Sequence, residues 1–133
     1  ALPDVRPPQM PAVMGLPQRG VVVVVDDDAM VAKAVSRLVA ALGFEVVVVT
    51  NPLEVEAVVL GCTPVAVLTD LHMPGRGGLE VLRLARELVP AARRVLLSAA
   101  PPESSVLDGL VPVCVLSKPF SREQLAEVLA ALP

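Results

Sequence analysis

The chain has 133 residues, enough for one compact domain with a core of its own and too few for two ordinary ones. Its net charge is -3, and no stripe of Lys and Arg with interleaved aromatics runs through it, which argues against a nucleic-acid surface in this domain. Apolar residues make up 54%, yet Phe44 and Phe120 are the only aromatics, so the core must be packed from Val, Leu and Ala.

Residues 1–20 carry five prolines and no helical or alternating apolar period. They read as an extended linker or flexible arm that packs little, with a single ordered domain over 21–133. From Val21 onward, short Val-rich runs alternate with helical segments, the pattern of βαβ units and a parallel sheet. The first strand is expected at Val21 to Val25, followed by a helix over Ala29 to Leu42 with Asp28 capping its start and Gly43 its end. Its buried stripe is expected to be Met30, Ala34, Val35, Leu38 and Leu42.

Strand two is expected from Phe44 to Val49. Asn51 and Pro52 then stand where an N-cap and a first helical residue belong, ahead of a helix over Leu53 to Leu60. Val65 to Thr69 reads as strand three, and a loop from Asp70 to Gly78 leads into a helix over Leu79 to Val89 that Pro90 stops. Within that loop, Gly75 to Gly78 lacks the following Lys-Ser or Lys-Thr of a phosphate-cradling loop and reads as a plain turn. Strand four is expected at Arg94 to Leu97. Residues 99–110 contain Pro101 and Pro102, so the next helix should be short or distorted. Strand five is Val113 to Ser117. A last helix starts at Ser121 with Gln124 in a capping box and buries Leu125, Val128, Leu129 and Leu132.

In open parallel sheets, ligands bind beyond the carboxyl ends of the strands. Here those ends are polar: Asp26, Asp27 and Asp28 after strand one, Asp70 after strand three, Ser98 after strand four and Lys118 after strand five. With strand order 2-1-3-4-5, Asp26, Asp27 and Asp70 converge on one crevice. Carboxylates that close raise one another's pKa unless a cation offsets them, and hard oxygen ligands favour Mg²⁺, which keeps open positions for phosphate oxygens. Asp70 is then the candidate nucleophile, with Lys118 and the Ser98 hydroxyl placed to pair with phosphoryl oxygens. Asp28 reads as a helix cap.

The segments VVVVVDDDAM, VAVLTDLHMPGRGGLEVL, RVLLSAA and VLSKPF resemble the response-regulator receiver family over about Val21 to Leu132. The resemblance implies a flavodoxin-like α/β sandwich of three layers, with a five-stranded parallel sheet and helices on both faces. It implies phosphoryl transfer from a phosphohistidine onto Asp70 with Mg²⁺ as cofactor, and no enzymatic turnover beyond self-phosphorylation and self-dephosphorylation. By the same resemblance the metal ligands are Asp27 directly, Asp26 mainly through water, Asp70, and the backbone carbonyl of His72. Ser98 matches the hydroxyl position, Lys118 the family lysine, and the Lys118–Pro119 peptide is expected to be cis.

The implied partner is a histidine kinase or a histidine phosphotransfer domain, with covalent linkage to a kinase core through the N-terminal linker and homodimerisation as further options. Three positions depart from the family pattern: Val115 stands at the aromatic switch position, the stretch between Ser98 and Lys118 is short and proline-broken, and Gly77 replaces a polar residue. Two rival readings follow. One is a receiver-like docking or dimerisation module that does not switch; the other is a small haloacid-dehalogenase-like phosphatase, suggested by the Asp26 and Asp28 spacing.

No apolar run reaches the length of a membrane span, because Gly61 and Pro64 interrupt the longest one, and no signal-like N-terminus is seen. A cytoplasmic location is the resulting expectation. Cys62 and Cys114 lack metal-type spacing and are expected to be reduced.

Overall fold

A computed structural model describes residues 19–100 and 102–130. Five strands, β1 (Val21–Val25), β2 (Glu45–Val49), β3 (Ala66–Asp70), β4 (Arg93–Ser98) and β5 (Cys114–Ser117), form one sheet in the order β2-β1-β3-β4-β5. Every pairing is parallel. The crossovers contain α1 (Ala29–Ala41), α2 (Val55–Cys62) after a 3-10 turn at Pro52–Glu54, α3 (Gly78–Leu88), and a 3-10 helix at Ser104–Leu110. α4 (Arg122–Ala130) follows β5.

β1 is five consecutive valines, four of them with no solvent exposure. A strand buried on both faces needs an unbroken apolar run instead of alternation, and β-branched side chains suit that pleated surface. Val22 and Val24 face one side, where α1 and α4 contribute Ala32, Val35, Val39, Leu125 and Leu129. Val23 and Val25 face the other, against Val55 and Val59 of α2 and Val81 and Ala85 of α3. Leu82, Leu96, Leu107 and Leu110 extend that second layer under the 3-10 helix. The result is the expected three-layer α/β/α sandwich, with the four strand ends that carry the candidate polar residues at one edge.

Local chemistry sets the boundaries. Asp28 accepts hydrogen bonds from the backbone N–H groups of Met30 (3.0 Å) and Val31 (3.3 Å), which caps α1. Asn51 caps the 3-10 turn through Leu53 N–H at 3.1 Å, so the segment expected as one helix over Leu53 to Leu60 opens with a tighter turn before α2. Ser121 and Gln124 form the reciprocal capping box, at 2.8 and 3.0 Å. The proline-broken fourth crossover is a 3-10 helix, as its weak period implied.

The buried stripe of α1 differs from the expectation. Ala32, Val35 and Val39 are the fully enclosed positions, Leu38 and Leu42 pack at the margin, Ala34 is exposed and Met30 is 83% exposed. The Asp28 cap fixes the phase of the first turn, and that phase turns Met30 outward while small residues meet the valine-rich sheet. In α4, Leu125 and Leu129 are buried and Val128 packs beside them, while Leu132 lies outside the described residues.

The expectation for the N-terminal arm falls mostly on residues outside the description. Its last two residues are already tied in: Arg19 N–H donates to the Gly43 carbonyl at 3.2 Å, and the Gly20 carbonyl accepts from Glu45 N–H at 3.0 Å. Cys62 and Cys114 are both unlinked thiols. Among the described residues, no helix is long and apolar enough to cross a membrane.

Candidate functional site

The parallel register carries three acidic side chains to one point. Val25 of β1 is paired with Thr69 of β3, so Asp26 and Asp70 leave adjacent strands side by side. Carboxylate oxygens of Asp26, Asp27 and Asp70 all lie within 4.8 Å of one another. Asp26 is only 3% exposed, Asp70 is half-buried and Asp27 is exposed.

Among the described residues, a single cation answers them. Lys118 Nζ lies 3.0 Å from Asp70 Oδ1 and 3.6 Å from Asp26 Oδ2. β5 holds this lysine in place, because Lys118 N–H donates to the Ser98 carbonyl at 2.9 Å beyond the last ladder pair. The Lys118–Pro119 peptide is cis, as the family resemblance implied, and Val111–Pro112 is cis as well.

Three carboxylates against one ammonium leave a formal excess of two negative charges. Asp26 shows the strain of this arrangement: burial pushes its carboxyl above the ordinary carboxylate range. The neighbouring Asp70 and Asp27 charges push the same way, while the Asp28 N–H bond to Asp26 Oδ1 at 2.9 Å and the charge of Lys118 oppose them. Asp26 Oδ2 is buried without a hydrogen-bond partner. An orphaned carboxylate oxygen beside two more carboxylates fits a hard dication that prefers oxygen ligands.

Ser98 ends β4 and is 2% exposed, with its Oγ accepting from Ala100 N–H at 3.1 Å. His72 sits two residues beyond Asp70 in the loop to α3, with an exposed side chain. Thus the structure gathers Asp26, Asp27, Asp70 and Lys118 directly, with Ser98 tethered to Lys118 through the backbone. The Asp28 carboxylate is engaged by its own helix, which removes the Asp26 and Asp28 pairing that suggested a phosphatase.

Three supporting residues escaped the sequence reading. Thr69 Oγ1 donates to the Asp70 carbonyl at 2.9 Å. Gly78 opens α3 directly against β3: a Cβ there would collide with the Asp70 carbonyl oxygen and stand 2.9 Å from Leu71 Cα. The Gly77–Gly78 pair was the available signal, but a glycine pair alone does not tell a turn from a close approach. Arg76 bridges from the loop to Glu56 of α2 at 2.6 Å and to the Pro52 carbonyl at 3.3 Å.

Comparison with known proteins agrees with this geometry. Residues 22–130 match the response regulator receiver domain model, and the chain belongs to that family. It is 34% identical over 113 residues to the DNA-binding transcriptional regulator NtrC of Salmonella typhimurium, a match covering 80% of this chain and 23% of NtrC. Among solved structures it is similar to chemotaxis protein CheY4 of Vibrio cholerae, with TM-score 0.77 and 21% identity over 86% of this chain and 98% of that one. It is also similar to response regulator protein TrrA of Thermotoga maritima in complex with Mg²⁺ and BeF, with TM-score 0.77, 24% identity, and coverage of 86% and 99%. The chain spans about a quarter to a half of the length of the first curated relatives it matches.

Proposed function

We propose that this receiver domain is a phosphoacceptor switch, in which Asp70 takes a phosphoryl group from a phosphohistidine. The observation that carries the reading is the convergence of Asp26, Asp27 and Asp70 on one point, with Lys118 held 3.0 Å from Asp70 Oδ1. In the transfer, an Asp70 carboxylate oxygen forms the new P–O bond as the donor's P–N bond breaks, and the imidazole leaves. Such reactions depend on positioning and charge neutralisation more than on covalent help from the protein.

Asp26, Asp27, Asp70 and the His72 carbonyl would hold Mg²⁺, in keeping with the two uncompensated negative charges and the orphaned Asp26 oxygen. The ion would supply charge neutralisation for the incoming phosphoryl oxygens. Lys118 orients the Asp70 carboxylate before transfer and pairs with a phosphoryl oxygen after it. Ser98 Oγ accepts from Ala100 N–H and keeps its own proton free to donate to another phosphoryl oxygen. Movement of Ser98 at the end of β4 toward the phosphoryl group is the proposed origin of switching.

The partner is a histidine kinase or histidine phosphotransfer domain. An apolar groove of about 570 Å³, lined by Met30, Val31, Leu38, Pro119 and Phe120, abuts Lys118 and suits a helix that delivers the phosphohistidine. The arm preceding β1 suits a tether to a further domain, and the domain itself occupies 21–133. A second reading, a docking module that does not switch, is favoured by Val115, an exposed aliphatic side chain at the switch position, and by the 3-10 helix in the fourth crossover.

The test is intact-mass detection after incubation with Mg²⁺ and acetyl phosphate. The reading predicts one added phosphoryl group, abolished by a chelator and by Asp70→Asn. Folded protein that binds Mg²⁺ but takes up no phosphoryl group would favour the docking module.

A further inference from the structure

A 3-10 helix is seldom stable over many residues, because its eclipsed side chains and poor hydrogen-bond geometry weaken every added turn. The one at Ser104–Leu110 opens after Glu103 with no side-chain cap and has no basic residue in its last turn. Its hold must come from other elements, and that hold is uneven. Leu107 and Leu110 are buried with Leu82 of α3 and Leu96 of β4, whereas Ser104, Ser105 and Val106 are exposed.

Two arginines strengthen the hold at the same end. The last carbonyls of a helix lack partners within it and carry the negative end of its dipole, so they attract cationic donors. Arg86 of α3 donates through Nη1 to the Gly109 carbonyl, and Arg94 of β4 donates through Nη2 to the Leu110 carbonyl at 3.5 Å. Among the described residues, neither arginine has a carboxylate within ion-pair distance. Arg94 is 5% exposed, and its burial and the Arg86 charge both make its proton easier to lose than usual. A cation buried beside a like charge is costly, and the Leu110 carbonyl offsets part of that cost.

At its upstream end the fourth crossover is tied to the acidic site. The Ser98 carbonyl accepts from Lys118 N–H at 2.9 Å, and Ser98 Oγ accepts from Ala100 N–H at 3.1 Å. The crossover thus runs from a residue that phosphorylation would move to a helix end that is held by two apolar side chains and two cations.

We propose that Arg86 and Arg94 clamp the carboxyl-terminal end of this 3-10 helix, so that movement of Ser98 shifts its first turn, Ser104 to Val106, and stops at Leu107. Both are positioning residues: Arg94 is paired with Val67 of β3, three residues before Asp70. The movement rests on the phosphoacceptor reading of Asp70, whereas the clamp does not.

The experiment has two arms, both on the full chain. In the first, amide hydrogen exchange is followed in chelator for the wild type, Arg86→Met and Arg94→Met. The clamp predicts exchange about tenfold faster at Leu107 to Leu110 in each variant, the effect of losing one hydrogen bond from a charged donor, with β3 unchanged in Arg86→Met. Arg86 is exposed, so Arg86→Met keeps the test standing should Arg94→Met not fold.

In the second arm, backbone amide shifts are recorded on adding Mg²⁺ and beryllofluoride, a phosphoryl mimic. The wild type should change at Asp70, Ser98 and Ser104 to Val106 and not beyond Leu107, whereas in Arg86→Met the changes should run on to Val113. Wild-type exchange at Leu107 to Leu110 in the variants would overturn the inference. Wild-type shifts as large over Leu107 to Val113 as over Ser104 to Val106 would overturn it too. Absence of any shift at Asp70 would count against the phosphoacceptor reading alone, and the first arm then decides the clamp by itself.

Discussion

Asp26 is a buried carboxylate beside two others. Burial raises its carboxyl, so the fold holds that proton more tightly than the unfolded chain does. The sign follows from linkage: the contribution of Asp26 to stability is fullest below its unfolded pKa and is lost as pH rises through the raised folded value. Asp26→Asn therefore stabilises the metal-free protein at neutral pH, by about 1 kcal/mol, because it removes a buried charge beside two other carboxylates, and the gain disappears in acid. Thermal denaturation of both forms in chelator across the acid range checks this; a gain independent of pH would contradict it. The meeting of Asp26, Asp27, Asp70 and Lys118 was legible in the sequence because each stands at or just past the end of a Val- or Leu-rich run.

Between elements, the loop from β3 to α3 is held at two points. Gly78 allows α3 to start against the backbone of β3, and Gly78→Ala should cost about 3 kcal/mol, since both colliding groups are main chain. Urea denaturation measures it, and a loss well below 1 kcal/mol would show that the helix start can move aside. At the other point, Arg76 straps the loop to α2 through Glu56. The arginine's hydrogen bond holds the Glu56 carboxyl below its ordinary value, so the strap is present at neutral pH and is lost as acid protonates Glu56. Arg76→Ala should give a small loss of stability, as exposed pairs do, but distinctly faster amide exchange over residues 71–77. The exchange should slow again in the swapped pair Arg76→Glu with Glu56→Arg. Neither hold was legible beforehand. Twenty residues separate Arg76 from Glu56 in sequence, and only the packing of α2 beside α3 brings them together. The phase of α1 was misread for a related reason: apolar residues occupy more than one face of that helix, and the Asp28 cap decides which face turns inward.

At the scale of the whole molecule, the fold was legible almost completely. Five apolar runs separated by helical periods leave little choice but a parallel sheet, and right-handed crossovers then narrow the strand order. That order is what makes the chemistry: it sets β1 between β2 and β3, so that carboxylates far apart in sequence share one crevice. The central claim is that Asp70 is the residue that accepts the phosphoryl group. Borohydride reduces an aspartyl phosphate to homoserine and leaves free carboxylates alone, so trapping after incubation with Mg²⁺ and acetyl phosphate, followed by peptide mapping, locates the acceptor. The account predicts homoserine at position 70, dependent on Mg²⁺; homoserine at position 26 or 27 instead, or at no position in protein that has gained phosphoryl mass, would contradict it.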